Sequence, residues 1–336
     1  MGIIDKNGRS LKPDAISAIA PKPDSRPVFQ KTLKGSIGCT GIALHSGDRV
    51  SMTLNPAGAD TGIVFRRTDV SGKGAKIPAR WDHVVDTRLC TVVGNQDGVT
   101  VSTIEHLMAA LAGADIDNAV IEINGSEAPI MDGSSQPFVF LIECAGAETL
   151  NAPRKALKIR KRVAIDLSGS TALAAPAEGF SISVEIDYDS GAIARQTIDL
   201  GLKPGAFKKE LARARTFGFL DQVEQLRAVG LARGGSLDNA VVVSGDRIMN
   251  EDGLRFDDEF VRHKVLDAIG DLYLVGGPII GRFHGFRSGH MVNNRLIRAI
   301  FTDEEAYEWV AMTEADQKAE MADMRDYTVL KVAAAS

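Results

Sequence analysis

Arg262-His263-Lys264-Val265-Leu266-Asp267-Ala268-Ile269-Gly270-Asp271 lies inside a helix read over residues 258–275. On that helix His263 and Asp267 are four apart and share a face, and Asp271 extends the row by another turn. An imidazole and a carboxylate so spaced can hold one metal ion from a single rigid element. The stretch also sets the fold class. It follows a run of strand signals, and a second helix is read over 288–301. The first half of the chain repeats this order, strands first and helices later, which indicates an α+β protein.

In the first half, alternating strand patterns run over Val50–Leu54, Gly62–Phe65 and Arg88–Val93. A helix then carries Ile104-Glu105-His106-Leu107-Met108-Ala109-Ala110-Leu111 to a stop at Gly113, with Ser102 or Thr103 as its N-cap. A strand is expected over Ala119–Ile123 and a helix from near Ser135. Asn151-Ala152-Pro153 marks a boundary. Beyond it, strands are expected at 156–159 and 180–186 and a helix at 203–215. A smaller unit spans 218–248, with a helical stretch around Val223–Leu226, a Gly234-Gly235 turn and a strand over Ala240–Val243. The reading is therefore a flexible extension over 1–30, a first domain over 31–150, a second over 154–301 with its 218–248 insert, and a tail over 302–336.

Six histidines are present, and two besides His263 stand in suggestive company. In Thr103-Ile104-Glu105-His106, a histidine near a helix start would supply a further metal ligand. Beside it is a glutamate able to take a proton from water. In Phe286-Arg287-Ser288-Gly289-His290, the histidine sits where a loop enters a helix, a position suited to a general acid. Taken alone, each segment also has an ordinary reading: a polar pair on a helix surface, a core histidine beside a surface glutamate, a solvated or capping histidine. H-E-x-x-H, the phosphate-binding loop and the G-x-S-x-G nucleophile elbow are absent, and Gly35-x-x-Gly38-x-x-Gly41 is not the dinucleotide fingerprint.

The bulk composition is that of a globular protein. The 336 residues include 39 Lys+Arg and 44 Asp+Glu, a net charge of 39 − 44 = −5, with 44% hydrophobic residues. Such a charge argues against coating nucleic acid. The length suits about two domains whose core needs no staple. Cys39, Cys90 and Cys144 form no C-x-x-C pair, and a reducing cytoplasm is the expectation. Charges interrupt the N-terminus, so no signal peptide is read there, and Lys6 spoils a myristoylation site.

Five segments, taken together, carry a resemblance: Ser102–Gly113, Ile130-Met-Asp-Gly-Ser, Ala214-Arg-Thr-Phe-Gly-Phe, 250–272, and Ser288-Gly-His-Met-Val-Asn-Asn. They lie in order across Lys31 to Phe301. On them the chain resembles the UDP-3-O-acyl-N-acetylglucosamine deacetylases, the zinc hydrolases of lipid A biosynthesis. The resemblance implies two α+β domains with their helices sandwiched between outer sheets and the site at the junction. It implies His106, His263 and Asp267 as ligands of Zn2+, or of Fe2+, which accepts the same donors. Glu105 is implied as general base, His290 as the second catalytic group paired with Asp271, and Thr216 as the hydroxyl holding the oxyanion. Substrate contacts are implied for Lys264, for His45 in Gly41-Ile42-Ala43-Leu44-His45, and for Tyr188 as a uracil-stacking ring. Arg287 is a source of positive charge for the diphosphate. Phe217, Val223 and Ala240 fall in the insert implied to form an acyl-chain passage. The partner is then a lipid-bearing UDP-sugar, with at most transient membrane contact, handled by a cytoplasmic monomer. A non-catalytic sugar-binding module and a zinc peptidase are the competing readings. The first would be signalled by a missing ligand or a missing Glu105, and the second lacks its motif. A fused dehydratase has no room in this length.

Overall fold

The structure, a computed structural model, describes residues 26–72 and 75–318 together with the strand pair Ile3–Ile4 and Ser10–Leu11. The expectation for residues 1–30 lies mostly outside these. Where the two meet, Pro27 bridges Thr313, and Phe29–Leu33 is already a strand, so the extension ends earlier than expected.

The first unit is a five-stranded sheet in the order Ile37–Ile42, Arg49–Pro56, Ala119–Ile123, Ile63–Arg67, Lys76–Pro78. Only Ala119–Ile123 and Ile63–Arg67 run parallel. Arg49–Pro56 alternates exposed and buried residues, as a strand with one wet face must. Val50, Met52 and Leu54 thereby enter the core. Helices α1 (Glu105–Gly113) and α2 (Gln136–Ala145) cover the inner face. Ala147–Pro153 pairs back with Phe29–Leu33.

The second unit centres on the strand Ile279–Phe286. Ser170–Ala175 lines one of its edges. The other edge is shared: Lys155–Ile159 pairs with Ile279 and Ile280, and Phe180–Asp187 takes residues 281–286. The stretch from Thr302, expected to be a tail, instead supplies the edge strand Tyr307–Ala311 against Lys155–Ile159. Its Trp309, opposite Leu157, packs against the core, which is why the sheet extends that far.

In the second unit α3 is Ala206–Glu210 and α4 is Leu220–Ala228. Helices α5 (Glu259–Tyr273) and α6 (His290–Thr302) pack on its sheet and on each other, and α5 lies against α1. The chain is thus an α+β fold whose α1 and α5 meet between the sheets in one continuous core.

Three local expectations give way to tertiary hydrogen bonds. The helix over 203–215 shortens to α3, because the Arg215 amide and guanidinium both donate to buried Glu259 and Thr216 N–H donates to Gly133 O. The strand over Arg88–Val93 shortens to Val92–Gly94, since Thr91 N–H donates to the Glu105 carboxylate instead of a ladder. Neither Ser102 nor Thr103 caps α1. Thr103 adopts a left-handed backbone, φ 56°, and its hydroxyl donates to Glu127 Oε1 at 3.0 Å. The insert matches expectation more closely, with α4 followed by Val241–Ser244, parallel to Phe217–Phe219.

Candidate metal centre and active site

Helix α1 is buried on every side from Glu105 to Leu111, which suits Leu107, Met108 and the alanines but places a carboxyl and an imidazole inside. Buried polar groups need partners. His106 meets Asp267 on α5, which crosses α1 at Gly270 close to the Glu105 carbonyl, and the Glu105 carboxylate accepts from the Thr91 amide. The crossing brings His106 from the first unit beside His263 and Asp267 from the second. Asp267 Oδ1 lies 3.6 Å from His106 Nε2 and 3.3 Å from His263 Nε2. The two rings stand edge to face at 4.9 Å.

Three tests bear on whether this cluster suits a metal. Among the described residues it is the one group whose donor atoms, all within 4.8 Å of one another, could hold an ion. Asp267 Oδ1 is buried without a hydrogen-bond partner, and such an orphaned atom is costly unless something else binds in the cluster. The third test is the outer support. Ala214 O lies 3.1 Å from His263 Nδ1, which fixes the ring and leaves Nε2 free to coordinate. Burial works against the charge of Asp267, yet His263 and Lys264 beside it hold its carboxyl well below the usual range. The carboxylate is therefore ionised, as a ligand must be. Two imidazoles and a carboxylate are a donor set that metal-dependent hydrolases use.

Glu105 and His290 face the same space, His290 Nε2 being 3.8 Å from Glu105 Oε1. Burial pushes the Glu105 carboxyl up, against the pull of His290 and His106. Burial would lower His290, but Asp271 and Glu105 push its imidazole up to about 9. Asp271 lies one layer back. Its Oδ2 meets His290 Nδ1 and Asn293 Nδ2, each at 2.9 Å, and its Oδ1 accepts from Thr91 Oγ1 at 2.6 Å.

A cavity of about 160 Å³ opens onto this cluster. It is lined by His45, Tyr188, Thr216, Phe217 and Lys264 as well as by Glu105, His106, His263, Asp267 and His290. Thr216 is fixed by the turn at Gly133, which has φ 82° and where a Cβ would stand 2.0 Å from Asn239 O. Burial would lower the Lys264 ammonium, but Asp267 at 3.0 Å raises it. Tyr188 meets Phe217 edge to face at 5.7 Å.

Arg287, Val223 and Ala240 are not brought to the cavity. Arg287 is exposed and pairs with Asp187 at 2.8 Å. Val223 packs over the Phe217–Phe219 strand at Gly218, and Ala240 is half-buried, its carbonyl accepting from Asn250. Burial pushes the Cys90 thiol, on the cavity wall, up to about 12. Sequence reasoning missed Thr91, Asn293 and Glu127. Glu127 accepts from the His45 and Ser46 amides and from Thr103, joining the His45 turn to the entry of α1. These three are ordinary polar residues in the sequence, and only their burial at 1–3% exposure marks them.

Comparison with known proteins shows the family. Residues 30–302 match the family model for UDP-3-O-acyl N-acetylglycosamine deacetylase. A UDP-3-O-acyl-N-acetylglucosamine deacetylase of Phenylobacterium zucineum is 51% identical over 293 residues, covering 87% of this chain and 99% of the relative. Those of Teredinibacter turnerae and Vibrio cholerae are each 50% identical, over 86% and 85% of this chain and 95% and 94% of theirs. The matched span contains both helices that build the cluster and the loop that carries His290, so the chain belongs to the UDP-3-O-acyl-N-acetylglucosamine deacetylase family.

Proposed function

We propose that this chain hydrolyses the N-acetyl group of UDP-3-O-[(3R)-3-hydroxyacyl]-N-acetylglucosamine, releasing acetate and leaving the free amine, a step of lipid A biosynthesis in Gram-negative bacteria. The observation that carries the reading is the pairing, in one cavity, of a His106–His263–Asp267 cluster containing an orphaned carboxylate oxygen with Glu105 and His290.

His106, His263 and Asp267 would hold Zn2+, or Fe2+, which accepts the same donors. Bound there, the ion would supply Lewis acidity toward water and the acetamide carbonyl. Glu105 takes the proton of the attacking water. Its Oε2 is engaged by Thr91 N–H, and burial raises its pKa, which makes the carboxylate a stronger base. The Thr216 hydroxyl donates to the oxygen that becomes negative as the carbonyl turns tetrahedral. An amide nitrogen leaves poorly as an anion, so it must receive a proton. His290, held protonated by Asp271, gives it.

Lys264 meets the negative charge of the diphosphate, His45 and Phe217 contact the sugar and the proximal chain, and Tyr188 stacks on uracil. The 218–248 insert, which begins beside Phe217 on the cavity wall, receives the acyl chain. The enzyme works in the cytoplasm as a monomer, with at most transient membrane contact and no nucleic-acid partner. No helix among the described residues is long and apolar enough to cross a membrane.

The test is acetate release from the acylated UDP-N-acetylglucosamine, measured alongside bound metal. Activity that follows metal content and disappears with a chelator is expected. Metal-loaded protein that releases no acetate would overturn the proposal.

A further inference from the structure

Thr91 is 2% exposed and belongs to no ladder. Its backbone N–H donates to Glu105 Oε2 at 3.1 Å, and its hydroxyl donates to Asp271 Oδ1 at 2.6 Å. Glu105 begins α1 of the first unit, and Asp271 lies on α5 of the second. One residue therefore touches the Glu105 carboxylate on the cavity wall and the Asp271 carboxylate behind His290, from opposite units. We propose that Thr91 is a positioning residue for the hydrolysis, fixing where the Glu105 carboxylate and the Asp271–His290 pair stand relative to each other.

Asp271 Oδ2 is committed to His290 and Asn293, while Thr91 Oγ1 donates to Oδ1 and holds the carboxylate plane against rotation about Cβ–Cγ. That plane aims Oδ2 at His290 Nδ1, and the ring so aimed presents Nε2 3.8 Å from Glu105 Oε1. The same threonine engages Glu105 Oε2, which turns Oε1 towards His290. The two groups proposed to move protons are thus indexed to one peptide unit. A displacement of about 1 Å in such an arrangement can cost on the order of 10²-fold in rate without weakening substrate binding.

This inference depends on the functional reading above, so its test separates the two. Thr91→Val keeps the shape and the backbone donor and removes only the hydroxyl, and Thr91→Ser restores it. In the metal-loaded full chain, Thr91→Val should lower kcat about tenfold or more, the effect of one misplaced hydrogen-bonded group. KM and bound metal should stay as in the parent, and Thr91→Ser should recover most of the loss. If Thr91 acts through Asp271, adding Thr91→Val to Asp271→Asn should cost little further. Parental kcat in Thr91→Val, a loss explained by missing metal, or equal losses in both backgrounds would overturn the proposal. A cycle of melting temperatures for the same four proteins reads the Thr91–Asp271 coupling without any assay of turnover. Strict additivity there would also overturn it. If the unmodified protein releases no acetate, the functional reading fails, and this cycle still decides whether the two residues act as a unit.

Discussion

Gly270 lies against the backbone carbonyl of Glu105, so closely that a Cβ at residue 270 would stand 2.1 Å from the oxygen. The contact falls between Asp267 and Asp271 on α5 and at the first residue of α1. It sets the depth at which the two helices interlock, and with it the spacing of the whole cluster. Backbone cannot yield as a flexible side chain can. Gly270→Ala is expected to destabilise the protein by about 1–3 kcal/mol, the cost of overpacking a closed core, and to weaken metal retention. Denaturant melts and metal analysis check both. A variant that melts and binds like the parent would mean that the crossing is soft.

Removing a ligand should empty the cluster without unfolding the chain. His263→Ala and Asp267→Ala are expected to lose most bound metal while keeping the parent circular dichroism spectrum, because the continuous apolar core joins both units without help from an ion. Unfolding on metal removal would contradict this.

Glu105→Gln should retain metal and substrate affinity, since the carboxamide keeps the size of the side chain and an acceptor oxygen for Thr91 N–H. Turnover should fall by about 10²–10⁴, the usual worth of a general base. Loss of metal from this variant would make Glu105 a ligand instead.

The pH profile tests Asp271. Asp271 and Glu105 raise His290, against burial, to about 9. A group with a raised pKa is protonated below that value and loses its proton as pH rises through it. If His290 must be protonated, activity persists below about 9 and falls above. Asp271→Asn removes the larger of the two raising charges, so the alkaline limb of kcat/KM should move to lower pH. An unmoved limb would exclude His290 as its source.

The sequence disclosed most of what depends on local spacing. His263 and Asp267 share a face because the helix period is fixed, and α5 and α6 fall within about two residues of the stretches read for them. What it concealed depends on contacts between distant segments. Nothing local in Thr91 marks a residue whose hydroxyl reaches across 180 positions to Asp271. The helix expected over 203–215 has acceptable local propensity, and it stops early because Glu259, far along the chain, claims the Arg215 amide and guanidinium. The strand at Tyr307–Ala311 falls in the stretch read as a tail over 302–336, and the core contact of Trp309 decides its place.

Thr103 holds a β-branched side chain in left-handed backbone, a conformation that costs about 1–3 kcal/mol. Glycine there would relieve the strain and forfeit the bond to Glu127, and with it the tie between the His45 turn and the start of α1. Durability and turnover therefore pull this position in opposite directions. A search for heat-tolerant variants would be drawn to Thr103→Gly and would pay with a looser doorway to the cavity.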